Sequence, residues 1–240
     1  MDRQHTDAQP GMTHMGPAPA TGPGNISPRS AGKPTRAWVL LPSGGRLNLL
    51  APDPWAWTDI DLAIGLSRTY RWAGYSAWDL PLSVAQHSLT VLTLCKIASD
   101  TELSPAEALR ELLHDAVEAL LGGVDVITPL KPYLGAEFVE LAARMQAALD
   151  TRYRLPAWTA ESYQRHKSAD RLAAASEALH VAAWSPHEIQ NDLEIAEEPL
   201  TTDPLQLPKG MGPWEPWPPQ TAAKLFLEEL QSLISRTGSP

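Results

Sequence analysis

The sequence predicts an all-α protein: a helical bundle with a small N-terminal β-hairpin and a C-terminal helix. Apolar residues recur at helical spacing in six segments from residue 59 onwards, and the last segment is strongly amphipathic. Two short apolar runs around a glycine turn precede these segments. The 240 residues are 43% hydrophobic, which is enough for one medium-sized core.

The N-terminal part of the chain divides into two regions. Residues 1–35 are rich in Pro, Gly, Ser and Thr, a composition that predicts a disordered tail. Residues 37–50 contain AWVLL and RLNLL on either side of PSGG. This pattern predicts a β-hairpin that packs as a flap on the helical body.

Helical periodicity predicts the elements that follow. The third predicted helix, at residues 104–121, has the clearest start and end signals. Ser104 can cap it, Pro105 suits its first position, and Glu107 completes a capping box. Gly122-Gly123 would end it. The predicted helices span residues 59–69, 81–99, 104–121, 134–153, 159–182 and 220–236.

A segment rich in Pro and Trp separates the last two helices. Residues 197–219, with Trp214 and Trp217, form either an ordered irregular strap or a loose linker. The final amphipathic helix is expected to dock on the core. The chain therefore divides into the tail at 1–35, a helical domain with its leading hairpin at 36–196, and the strap with its helix at 197–240.

Charge and cysteine content restrict the function. A net charge of −9 argues against binding a nucleic acid polymer, although a metal and a few local cations can still bind one nucleotide. Cys95 is the only cysteine, so an intrachain disulfide is excluded and a reducing compartment fits. No apolar run reaches about 18 residues, so no membrane span is expected. Since no secretory signal is recognised either, we expect a cytoplasmic protein.

The segment LLHDAVEALL at 112–121 carries the strongest chemical signal. His114 and Asp115 are adjacent polar residues in an apolar helix, and burying both is costly unless a partner compensates them. A divalent cation compensates both, because imidazole and carboxylate are ordinary ligands. Glu118 follows at helical spacing and would face the same point.

Two further polar residues lie within apolar helices. His87 lies in PLSVAQHSLTVLTL and Asp170 in HKSADRLAAASEAL. Each alone could be a satisfied core residue, but together with the His-Asp pair they are better explained as ligands of one metal. His166, four residues before Asp170, is interpreted as a surface histidine, with a supporting partner of Asp170 as the alternative.

The order of His87, the pair His114-Asp115, and Asp170 on successive helices resembles the HD superfamily of metal-dependent phosphohydrolases. Further motifs between residues 68 and 178 are similar to those of one branch, the bacterial 5′-deoxynucleotidases. These motifs are Arg71-Trp72 fifteen residues before His87, His87-Ser88, HDAVE ending in Glu118, GGVDVITPLK with Asp125, Thr128 and Lys131, and KSAD ending in Asp170.

The resemblance implies an HD phosphohydrolase domain at 36–196 that holds one divalent metal ion (Mn, Co, Zn or Fe). The implied ligands are His87, His114, Asp115 and Asp170. Dimers are common in that family, so the resemblance also favours a homodimer.

The resemblance further implies roles for the other motif residues. Glu118 would position or deprotonate the attacking water, and Asp125 would handle the proton of the leaving oxygen. Arg71 and Lys131 would neutralise the phosphate, and Trp72 would pack on the sugar and exclude a 2′-hydroxyl. Residues Ser88 and Thr128 would also line the substrate site. The implied reaction converts a deoxynucleoside 5′-monophosphate to the deoxynucleoside and phosphate.

Other functions remain open. A deoxynucleoside triphosphate triphosphohydrolase would use the same metal site, and the released product distinguishes the two. A cyclic-dinucleotide phosphodiesterase is disfavoured because the Gly-Tyr-Pro signature is absent. A non-catalytic nucleotide sensor would keep the metal without turnover, but the presence of both Glu118 and Asp125 argues against it. A purely structural helical protein would require all the motif matches to be chance.

Overall fold

The computed structural model describes residues 37–238, which are mostly helical. Strands β1 (Trp38–Leu40) and β2 (Arg46–Asn48) form an antiparallel hairpin in which Val39 pairs with Leu47. The predicted hairpin is therefore confirmed. Leu47 is fully buried, so the hairpin packs on the helical core as a flap. The tail predicted at 1–35 lies outside the described residues.

Eight α-helices follow within the described part of the chain. They are α1 (Asp59–Arg68), α2 (Val84–Ala98), α3 (Pro105–Leu112), α4 (Ala116–Leu120), α5 (Ala136–Tyr153), α6 (Ala160–His180), α7 (Pro186–Asn191) and α8 (Pro219–Arg236). Short 3₁₀ helices at Trp72–Gly74 and Thr128–Leu134 were not predicted from periodicity, nor was α7.

Local capping explains where the helices begin. The Ser104 hydroxyl accepts a hydrogen bond from the backbone N–H of Glu107, and the Glu107 carboxylate accepts one from the backbone N–H of Ser104. Pro105 lies in the first turn of the helix. This confirms the predicted capping box. Thr58 and Thr159 cap α1 and α6 in the same way.

The prediction of one helix over 104–121 was wrong, because the chain breaks it at the His-Asp pair. Helix α3 ends at Leu112 and α4 begins at Ala116. In the turn between them, the Ala116 N–H donates to the Leu113 carbonyl at 3.1 Å, a tighter spacing than in an α-helix. The His114 ring also bonds the carbonyl oxygen of Glu111 at 2.8 Å, so a side chain takes up a backbone group that the helix would use.

The C-terminal strap is ordered and irregular, and a buried side chain of the helical core holds it by hydrogen bonds. The buried Gln86 amide donates to the Glu215 carbonyl at 3.1 Å and accepts from the Trp217 N–H at 2.8 Å. Helix α8 then packs on α1 and α3 and buries Phe226 in the main core. No helix within residues 37–238 is long and apolar enough to cross a membrane.

Candidate metal centre

The four residues predicted as metal ligands converge at one point. The His87 Nε2 atom lies 3.3 Å from His114 Nε2, 3.5 Å from Asp115 Oδ2 and 3.4 Å from Asp170 Oδ1. The His114 Nε2 atom lies 3.3 Å from Asp115 Oδ2. Helix α2, the turn between α3 and α4, and helix α6 thus each contribute to one cluster.

These separations suit a small divalent cation. Metal–ligand bonds of about 2.0–2.1 Å at tetrahedral angles place neighbouring ligand atoms about 3.3–3.4 Å apart. Candidate ligand atoms of His87, His114 and Asp115 all lie within 4.8 Å of one another. These three residues could therefore hold a metal ion. Asp170 contacts His87 at 3.4 Å but is not part of this mutually close group.

Hydrogen bonds behind the cluster orient both imidazoles. The Nδ1 atom of His87 lies 2.6 Å from Glu177 Oε1, and the Nδ1 atom of His114 lies 2.8 Å from the Glu111 carbonyl oxygen. Each contact holds a proton on Nδ1 and leaves Nε2 free to bind a metal. Sequence reasoning missed Glu177, although it lies seven residues after Asp170 and therefore on the same face of α6.

The charges of the cluster are balanced among themselves. Burial and Arg71 disfavour protonation of His87, yet Glu177 and Asp170 raise the pKa of His87 to about 10. Burial opposes ionisation of Asp115, but the neighbouring His114 and His87 hold the pKa of Asp115 well below its usual range. In the metal-free protein a proton on the imidazoles supplies the positive charge that a cation would supply.

Glu118 lies beside the cluster with one oxygen atom unsatisfied. Its Oε1 atom lies 3.4 Å from Lys131 Nζ, whereas its Oε2 atom is buried without a hydrogen-bond partner. Burial, with Asp115 and Asp125 nearby, raises the pKa of Glu118 to about 9. A buried carboxylate oxygen without a partner indicates a position for a water molecule or a ligand.

Arg71 is the cation at the centre of the site. Its guanidinium contacts Glu177 at 2.9 Å, Asp115 at 3.7 Å and Asp125 at 4.0 Å. Trp72, the next residue, has a φ of 57°, an uncommon conformation for a bulky residue. Strained backbone of this kind is concentrated at functional sites.

Of the residues predicted to bind substrate, Lys131 lines a cavity beside the cluster, whereas Arg71, Trp72 and Ser88 line neither of the two cavities there. The Trp72 ring packs against a small cluster that contains Ala175 and Ile189, and its Nε1 atom is buried without a partner. Ser88 is fully buried next to His87, and its hydroxyl also has no partner. Thr128 begins the 3₁₀ helix Thr128–Leu134.

Two cavities adjoin the cluster. The first has a volume of about 310 Å³; His114, Asp115, Glu118 and Lys131 line its polar side, and aliphatic side chains with Phe138 line the rest. The second, of about 330 Å³, is also lined by His114 and is richer in polar groups and aromatic rings. The cluster therefore faces space in which a small molecule could bind.

His166 is not the surface histidine that the sequence suggested. It is 4% exposed, and its Nδ1 atom lies 2.8 Å from the carboxylate of Glu111, which is also buried. The error arose because His166 lies in the first half of α6, AESYQRHK, which is largely polar, so spacing alone could not assign a buried face there. Cys95 is buried as well.

Comparison with known proteins identifies a relative. No protein-family model matches the chain. An uncharacterized protein of Rhodobacter capsulatus is 41% identical over 154 residues, which cover 64% of this chain and 77% of that protein. Identity at this level over most of the relative indicates common descent. The chain therefore belongs to the same protein family as this Rhodobacter capsulatus protein.

Proposed function

We propose that the protein is a metal-dependent phosphohydrolase of the HD type that hydrolyses deoxynucleoside 5′-monophosphates. The observation that carries the proposal is the cluster of His87, His114 and Asp115, with ligand-atom separations of 3.3–3.5 Å and with Asp170 at 3.4 Å from His87, beside a cavity that Glu118 also lines. The motifs that resemble the bacterial 5′-deoxynucleotidases supply the substrate class.

Each residue of the site has a chemical task in this proposal. A bound divalent cation would supply Lewis-acid charge for the phosphate and acidify a water molecule. Glu118 would orient that water and accept its proton through the oxygen that has no protein partner. The cation's charge would lower the raised pKa of Glu118 and favour the basic form that this task requires.

Cationic side chains would bind the phosphate. Lys131 lines the same cavity as Glu118, and the Arg71 guanidinium reaches Asp115 and Asp125 at the edge of the cluster. Asp125, which lies 4.0 Å from Arg71 and near Glu118, would pass the proton that Glu118 takes from the water on to the leaving 5′-oxygen. The motif resemblance assigns the sugar preference to Trp72, although the ring now packs against Ala175 and Ile189.

The cations of both cavities and of the cluster already have carboxylate partners. The second cavity contains the cations Arg110 and Lys167, which additional phosphates would require. Arg110 is already paired with Asp150 at 2.6 Å and Lys167 with Asp170 at 3.1 Å. Lys131 and Arg71 are paired as well, with Glu118 at 3.4 Å and Glu177 at 2.9 Å, so the preference for a monophosphate rests on the motif resemblance.

A phosphate-release screen tests the proposal. Protein loaded with Mn²⁺, Co²⁺ or Zn²⁺ is incubated with ribo- and deoxynucleotides from mono- to triphosphate, and His114→Ala is compared with His187→Ala, which changes an exposed histidine. We expect phosphate from deoxynucleoside monophosphates with wild type and His187→Ala only. Tripolyphosphate release would support the triphosphohydrolase. Tight nucleotide binding without any product would support a sensor and refute the enzyme.

A further inference from the structure

We propose that Cys95, Glu111 and His166 form a second metal site, which takes Zn²⁺. Candidate ligand atoms of these three residues lie within 4.8 Å of one another, and all three residues are buried. No step assigned to the first cluster uses them. The proposal does not depend on what the protein hydrolyses, because metal binding alone tests it.

The helices that supply the first cluster also position these three residues. Cys95 lies eight residues after His87 on α2, and His166 lies four residues before Asp170 on α6. Glu111 lies near the end of α3, three residues before His114. Offsets of eight residues on α2 and four on α6 correspond to about two turns and one turn, so Cys95 and His166 lie along the same helix faces as His87 and Asp170. Glu111 lies in the last turn of α3, just before the break that contains His114.

The donor set is appropriate for zinc. A thiolate, an imidazole and a carboxylate are all ordinary Zn²⁺ ligands, and a thiolate selects against Mg²⁺ and Ca²⁺. The Glu111 Oε2 and His166 Nδ1 atoms are now 2.8 Å apart, bridged by a proton. A cation in place of that proton would require them to separate to about 3.3 Å, a movement of a few tenths of an ångström that side-chain rotation can supply.

Burying the polar groups of these three residues costs free energy that a bound cation would offset. The Glu111 carboxylate is 1% exposed, and the Cys95 thiol lies near it in the core. Burial and the nearby Glu111 charge raise the pKa of Cys95, so the thiol stays protonated in the metal-free protein. Zinc would release the thiol proton and the proton shared by Glu111 and His166 to solvent, and would pair with the two resulting anions.

One of the three residues borders a cavity. His166 also lines the cavity of about 330 Å³ that contains Trp158 and Lys167. An ion could therefore approach His166 from this cavity without unfolding the core. With three protein ligands, a fourth coordination position would remain for a water molecule.

Cobalt substitution of the metal-free, full-length protein tests the site. Co²⁺ bound by a thiolate gives a near-ultraviolet charge-transfer absorption that imidazole and carboxylate ligands do not give. We expect this absorption in wild type and in His87→Ala, which alters only the first cluster, but not in Cys95→Ala. Zinc analysis should likewise give two ions per chain for wild type and one for Cys95→Ala.

A second variant protects the test against a folding defect. If circular dichroism shows that Cys95→Ala is unfolded, His166→Gln replaces it, with the same expected loss of one zinc ion and weakening of the absorption. Wild-type protein that binds a single Co²⁺ without thiolate absorption would overturn the proposal. The three residues would then be a buried Glu–His ion pair beside an apolar cysteine.

Discussion

Glu177→Gln tests whether the buried carboxylate behind His87 sets the affinity of the first metal centre. Glu177 accepts hydrogen bonds from two donors, His87 Nδ1 at 2.6 Å and Arg71 Nε at 2.9 Å. A glutamine has the same shape, but one of its two acceptors becomes an NH₂ group. The glutamine can therefore accept a hydrogen bond from only one of these two donors. The other donor, in a buried position, then faces the NH₂ group of the glutamine.

The size of the effect follows from these contacts. Leaving one buried donor unsatisfied costs about 1–3 kcal/mol, and loss of a hydrogen bond behind a ligating histidine typically weakens metal binding about 10- to 100-fold. A 10- to 100-fold change corresponds to about 1.4–2.7 kcal/mol, so the two estimates agree. We therefore expect the dissociation constant for Zn²⁺ or Mn²⁺ to rise by one to two orders of magnitude.

Competition with a chromophoric chelator measures that constant, and circular dichroism checks the fold. Glu161→Gln is the matched control, since Glu161 is exposed on the same helix α6. An unchanged metal affinity in folded Glu177→Gln would refute the reasoning, because His87 would then bind no metal or would need no orienting partner.

Four further changes test other parts of the structure. Glu118→Gln should retain metal while kcat falls about 10²- to 10⁴-fold; loss of metal would instead make Glu118 a ligand. Trp72→Ala should narrow the ratio of turnover between deoxyadenosine and adenosine 5′-monophosphate, and equal turnover by wild type would exclude a sugar gate. Gln86→Ala removes two hydrogen bonds to the strap and should lower the free energy of unfolding by about 1–3 kcal/mol in urea, whereas exposed Gln164→Ala should change it little. The pKa of His87 is about 10 in the folded, metal-free protein and about 6.5 in the unfolded chain. Protonated His87 therefore contributes its full stabilisation at pH values below about 6.5. This stabilisation is lost as the pH rises through about 10, so the Tm of the metal-free protein should decrease as the pH is raised from about 6.5 to about 10. A Tm that increases over this pH range would contradict the charge assignment.

Local sequence signals predicted most of the fold and the members of the first cluster. The hairpin and the cap at Ser104 follow from turn and capping chemistry that involves residues only a few positions apart. His87 and Asp170 were identifiable because a polar residue within an apolar helix requires a partner. The relative positions of these elements depend on packing, which periodicity does not describe.

The supporting residues could not be assigned from local pattern. Glu177 contacts Arg71 across 106 positions of sequence and His87 across 90. Its only signal is the spacing of two turns from Asp170, which an exposed acidic residue would share. Glu111 and His166 are similarly separated by 55 positions, and each looks like an ordinary surface residue of a polar helix.

The break after α3 has a geometric consequence that a continuous helix would not allow. Adjacent residues on an α-helix point about 100° apart, so neighbouring side chains do not readily reach the same point. Because α3 ends at Leu112 and the chain turns before Ala116, His114 Nε2 and Asp115 Oδ2 approach to 3.3 Å. The apolar run of LLHDAVEALL masks this break, since apolar residues precede and follow it and Leu112, Leu113 and Leu120 are all buried. The interruption of the helix thus positions an adjacent histidine and aspartate to act as a pair, and the Glu111 carbonyl that it frees orients His114.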